Sequence, residues 1–86
     1  MVSNPTLPEL NDSRPIPRGG LVIRYARKLR GYTILEYSHS VGLAKNTLSN
    51  WERGVCEPSF FMVMTILNDL KVDLVEAYKN AQRPAN

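Results

Sequence analysis

One cysteine, one histidine and one tryptophan are all that 86 residues hold of three chemically distinctive side chains. Cys56 alone cannot close an intramolecular disulfide, and by count it cannot build a cysteine metal site. It reads as a small, partly buried side chain in a loop of a protein made for a reducing cytosol. His39 has neither Cys56 nor a carboxylate at helical spacing beside it, so no nucleophile, base or metal constellation is expected. Gly19-Gly20 is only a doublet after Pro17 and marks the start of the folded part, with no nucleotide fingerprint around it. No run approaches the roughly eighteen apolar residues of a membrane span, and the N-terminus has no charged stretch followed by an apolar one. No alternating strand pattern, repeat or heptad array is present. A soluble, unexported, non-enzymatic chain without cofactors is the expectation, and 43% hydrophobic residues suffice for the core of one small all-helical domain.

Acidic residues are scarce where basic ones gather. The net charge is only +3, but Arg14, Arg18, Arg24, Arg27, Lys28, Arg30, Lys45 and Arg53 face just Glu36 and Glu52 between positions 14 and 53. Residues 1–13 hold Glu9 and Asp12 and no base, and from Gly54 onward three bases meet four acids. The electropositive middle is what docking on phosphates requires, although a charge run taken alone is more often a solvated face.

Four of the six prolines (Pro5, Pro8, Pro15, Pro17) lie in residues 1–18, which are expected to form a flexible arm. A folded domain is expected over 19–80 and a fraying tail over 81–86. A first helix should run from about Gly20 to Arg30, burying Val22, Ile23, Ala26 and Leu29 and turning Arg24, Lys28 and Arg30 outward. Ser59 is a plausible N-cap for a fourth helix, whose Phe60, Phe61, Val63, Met64, Ile66, Leu67 and Leu70 span more than one face. Asp73 would cap a fifth, with Leu74, Val75 and Tyr78 inward or at a subunit contact.

Residues 34–54 carry the strongest pattern. Tyr37, Val41, Leu43, Leu48 and Trp51 make one inner surface shared by two helices, small Ser38 allows their close crossing, and Gly42 stands where the chain must reverse. Thr33 and Glu36 form a capping box at the start of the first helix of the pair. The second begins near Ala44 or Lys45 and ends at Gly54, a suitable left-handed cap. Ala44 cannot cap the first-turn amides, and if they have another partner a DNA phosphate is a natural candidate. Lys45, Asn46, Thr47, Ser49 and Asn50 are expected outside. Such residues are mediocre helix formers, but Asn can pair with adenine, Lys can donate to guanine, and Ser or Thr can contact either base edges or phosphate.

The stretches T33-I34-L35-E36-Y37-S38, V41-G42-L43 and T47-L48-S49-N50-W51-E52-R53-G54, with Pro58 four residues on, resemble the Cro and phage-repressor (Xre-type) helix-turn-helix regulators. The resemblance covers about residues 20–78. It implies a five-helix repressor-like domain, usually dimeric, that lays its third helix in the major groove of double-stranded DNA. Carried over, Lys45, Asn46, Ser49 and Asn50 face base edges. Thr33, Ile34, Ala44, Thr47 and Arg53 hold phosphates, and Arg27 pairs with Glu52. The family often has glutamine where this chain has Ile34, and Ser or Thr at Ala44, so two polar contacts are missing. Arg14 and Arg18 on the arm, or dimerisation through Phe60, Phe61, Val75 and Tyr78, would compensate. A DNA-associated protein of bacterial or phage origin is implied. The competing expectation is an antitoxin or adaptor that grips a partner protein through helices 4 and 5 or the termini.

Overall fold

The structure, a computed structural model, describes residues 18–81. These residues form five helices and no strand: α1 (Gly19–Leu29), α2 (Ile34–Val41), α3 (Lys45–Arg53), α4 (Phe60–Leu70) and α5 (Leu74–Ala81). Of the expected arm over 1–18 and tail over 81–86, residues 1–17 and 82–86 lie outside the described residues. Ala81 is still helical and half-buried, so the last helix runs one residue past the expected boundary.

The starts of α2, α4 and α5 are chemically legible, whereas α1 and α3 begin without a side-chain cap. The Thr33 hydroxyl accepts from the Glu36 amide at 3.0 Å while the Glu36 carboxylate accepts from the Thr33 amide at 3.0 Å, closing the capping box. Ser59 Oγ accepts from the Met62 amide at 3.1 Å, and Asp73 Oδ2 from the Glu76 amide at 3.0 Å. The ends of α2 and α3 are the left-handed glycines Gly42 and Gly54.

The first helix is the hub, packing against α3, α4 and α5, whereas α2 rests on α3. Val22, Ile23 and Ala26 of α1 meet Tyr37, Leu48, Val63, Ile66, Leu67, Leu70, Val72 and Ala77 in one core. One expectation for α1 fails on geometry. At about 100° per residue the buried set Val22, Ile23, Ala26 and Arg27 spans an arc that puts Leu29 roughly 90° from its centre. Leu29 is therefore exposed and Arg27 takes the inner place. Arg30 is exposed, as expected, but its guanidinium is engaged. Its Nε and Nη2 donate to the carbonyls of Leu70 and Lys71 at 2.8 and 2.7 Å, satisfying the free C-terminal end of α4.

Gly20 is a contact residue as well as a start signal. A Cβ there would lie 1.7 Å from the Trp51 carbonyl oxygen, so α1 and α3 meet backbone to backbone. Trp51 itself is half-buried, covering the core from the side instead of filling it. Cys56, expected to be partly buried, is exposed in the loop after α3. In α5 the inward places go to Ala77 and Leu74, while Val75 and Tyr78 remain exposed. The wide apolar surface of α4 likewise divides. Val63, Ile66, Leu67 and Leu70 are buried, and Phe60 and Phe61 stand 73% and 75% exposed.

Candidate nucleic-acid interface

The turn between α2 and α3 is set by three small features. Gly42 adopts φ 75° and ψ 24°, a left-handed conformation that costs an L side chain roughly 1–2 kcal/mol. The Leu43 amide then donates to the Ser38 carbonyl at 2.9 Å, closing the reversal. Buried Ser38 donates its hydroxyl to the Leu35 carbonyl at 3.0 Å and so brings no unpaired polar group to the crossing.

Beyond the turn, α3 divides into two faces. Leu48 and Glu52 are buried and Trp51 is half-buried. Lys45, Asn46, Ser49, Asn50 and Arg53 fall within an arc of roughly 140° on the opposite side, at about 100° per residue. Lys45, Asn46 and Arg53 are exposed, and Ser49 and Asn50 are half-buried. Thr47 sits outside this arc, on the flank. A short helix with one polar face and one apolar face, joined to a second by a glycine turn, has the dimensions of an element that enters a DNA major groove.

A helix-turn-helix family model matches residues 23–76. The chain belongs to the Cro and phage-repressor type of helix-turn-helix family. No curated protein and no solved structure is matched by it. The family is one of DNA-binding domains, and this helix-turn-helix protein is a DNA-binding regulator of that general kind. Among the described residues no helix is long and apolar enough to cross a membrane.

What fixes α3 to the body of the helix-turn-helix domain is a buried fork. Arg27 Nε and Nη2 donate to Glu52 Oε2 and Oε1, both at 2.8 Å, with the two residues 5% exposed each. Nη1 of Arg27 donates to the Tyr32 carbonyl, so the same guanidinium also holds the loop leading into α2. Planar, bidentate geometry of this kind defines an orientation as well as a distance. Tyr37 adds a clasp from α2 to α4. Its hydroxyl donates to Asp69 Oδ2 at 2.8 Å, and burial first, then that hydrogen bond and the Asp69 charge, push the phenol above its ordinary pKa.

The residues expected at phosphates are differently placed. Ala44 makes no side-chain cap, and among the described residues the Lys45 and Asn46 amides have no acceptor. The positive end of α3 is therefore open. Thr33 spends its oxygen on the Glu36 amide and keeps one proton to donate. Ile34 is half-buried against the core, which leaves its backbone amide as its polar group. Arg53 Nη2 donates to Asn50 Oδ1 at 2.8 Å, a link visible in the sequence only as a spacing of three.

Arg14 lies outside the described residues, but Arg18 does not behave as part of a free arm. Its carbonyl accepts from the Leu21 and Val22 amides, and its guanidinium lies over Gly54 and 3.8 Å from Glu57. The pair is half-exposed and contributes little stability. It nevertheless ties the chain entering α1 to the loop leaving α3. Among the basic side chains between positions 18 and 53, Arg27 is neutralised by buried Glu52 and Arg18 faces Glu57, whereas Arg30 and Arg53 donate to neutral oxygens and keep their charge, as do Arg24, Lys28 and Lys45.

Proposed function

We propose that this helix-turn-helix protein is a sequence-specific transcriptional regulator that binds double-stranded DNA as a homodimer, acting as a repressor on a palindromic operator. The observation that carries the reading is the outward face of α3, crowded with short hydrogen-bonding groups and backed by a buried scaffold. Lys45, Asn46, Ser49 and Asn50 read base edges. The Thr33 hydroxyl, the amides at Ile34 and at the Ala44 end of α3, Thr47 and Arg53 hold phosphates, with the arm from Arg14 as an additional contact. Because an uncapped N-terminus attracts anions over about one turn only, the phosphate grip of each half-site is modest. Two half-sites read together, with centres roughly 34 Å apart, supply the remainder.

The exposed Phe60, Phe61, Val75 and Tyr78 support a contact between two copies. The same exposure supports the second reading, an antitoxin or adaptor that presents these side chains to a different protein. Selection of bound sequences from random duplex DNA at two salt concentrations separates the two. A palindromic motif that survives the higher salt is the expected result, with a sedimenting species of twice the chain mass. Replacing Asn46 by alanine is expected to lower discrimination at one column by about 1–3 kcal/mol. Loss of all binding at both salt concentrations, together with co-purification of a stoichiometric second polypeptide, would replace the regulator by the adaptor.

A further inference from the structure

The side chains on α3 are not equally free to read DNA. Lys45 and Asn46 are exposed and unpaired among the described residues, whereas the Asn50 oxygen is already held by Arg53 Nη2 at 2.8 Å. An asparagine amide is nearly symmetric in shape and opposite in chemistry at its two ends. Its oxygen only accepts, and its nitrogen only donates. Left alone on a helix surface it can turn about its terminal torsion and offer either end to a base. Guanidinium groups have no acceptor, so Arg53 can satisfy only the oxygen. That contact removes the ambiguity.

We propose that Arg53 is a positioning residue for readout, setting the polarity of the Asn50 amide and thereby the base chosen at the position Asn50 faces. The inference rests on α3 being the reading helix and adds to it the mechanism by which one of its members becomes selective. With the oxygen held by Arg53, the Nδ2 protons are the end left free to donate, and the oxygen keeps one lone pair. A base offering an acceptor, or an acceptor beside a donor as adenine does, is then favoured over cytosine, whose major-groove edge is a donor. Two arginine roles are separable here. A phosphate contact adds affinity on every sequence, whereas a positioning contact changes preference at one column.

The test is selection from random duplex DNA with the full chain and with three variants: Arg53→Ala, Asn50→Ala and the double variant. All the substituted side chains lie on the surface of α3, and far-UV circular dichroism checks that each variant stays helical. The wild type is expected to give a motif in which Asn50→Ala erases the preference at one column. Arg53→Ala is expected to relax that same column at least about five-fold, the smaller end of what a bidentate contact confers, and to leave the others unchanged. In the Asn50→Ala background the Arg53 substitution should alter no column. Uniform weakening across all sequences, with a shallower salt dependence and an unchanged column, would overturn the positioning role and leave Arg53 a phosphate contact. A wild-type motif that Asn50→Ala does not change at any column would remove Asn50 from readout and the inference with it. Absence of any motif would instead refute α3 as the reading helix.

Discussion

Replacing Glu52 by glutamine tests how α3 is held. The carboxylate receives two hydrogen bonds from Arg27, and both side chains are less than a tenth exposed. Glutamine keeps the shape but turns one acceptor into a donor facing the guanidinium, leaving a buried cation uncompensated. Breaking a buried pair in this way costs about 3–5 kcal/mol. A chain of 86 residues has a total stability on the order of 4–13 kcal/mol, so the loss is a large share of the whole. At about 4–8 °C per kcal/mol for a domain of this size, the melting temperature should fall by at least about 12 °C. Urea unfolding followed through Trp51, the one tryptophan and half-buried on α3 itself, reads the change directly. The informative partner is Arg27→Met with Glu52→Leu, which removes both charges together. It should recover most of the loss, short of about 1 kcal/mol for the Tyr32 carbonyl that Arg27 also serves. A Glu52→Gln loss under about 1 kcal/mol, or a double variant whose cost is the sum of the two singles, would refute the reasoning.

Gly20→Ala sets a methyl against the Trp51 carbonyl, which as backbone cannot swing aside. A loss of about 3 kcal/mol or more is expected in the same urea assay, at or above the upper end of ordinary overpacking. Ala44→Ser supplies the cap that α3 lacks, at a position already extended (φ −67°, ψ 140°). It should raise stability by about 0.5–2 kcal/mol, and no gain would mean the amides are satisfied by water as well as by a hydroxyl. The folded-state pKa of Tyr37 is raised, so its contribution is fully present below about pH 10 and is lost as pH rises toward the folded value. Denaturation measured between pH 8 and 11 should lose stability above about pH 10, by up to roughly 1.4 kcal/mol per unit from this group. Tyr37→Phe should flatten that decline, and an unaltered slope would assign it elsewhere.

Local chemistry was legible in the sequence and distant pairing was not. The capping box of Thr33 and Glu36, the Ser59 and Asp73 caps and the reversal at Gly42 all depend on residues within a few positions of one another, and each is present. The fork from Arg27 to Glu52 spans twenty-five positions. Spacing cannot announce it, and only the family resemblance pointed there. Arg30 looked like one more outward cation because its acceptors are backbone carbonyls forty positions away, which have no side-chain signature. Gly20 passed as a boundary marker for the same reason, its partner being the main chain of α3. Leu29 shows the limit of counting periods. An apolar residue at the edge of a stripe is buried only if a neighbouring helix extends over it. The polar face of α3 could be read in advance, but the contact from Arg53 to Asn50 decides which end of that amide faces outward, and that needed coordinates.

The hub position of α1 also has a consequence for how the protein is made. The helix emerges from the ribosome first among the five, yet its partners are α3, α4 and α5, and its Tyr25 hydroxyl meets Glu76, fifty-one positions downstream. At about 5–20 residues per second, that separation corresponds to roughly 3–10 s of synthesis during which the side of α1 that meets α5 stays uncovered, while α3 and α4 arrive earlier on its other sides. The α2–α3 pair is complete sooner, and Arg27 and Gly20 of α1, which hold α3, are already made by then. A nascent chain stalled before α5 would leave the side of α1 that packs on that helix uncovered, apolar surface of the kind that makes incomplete chains prone to aggregate.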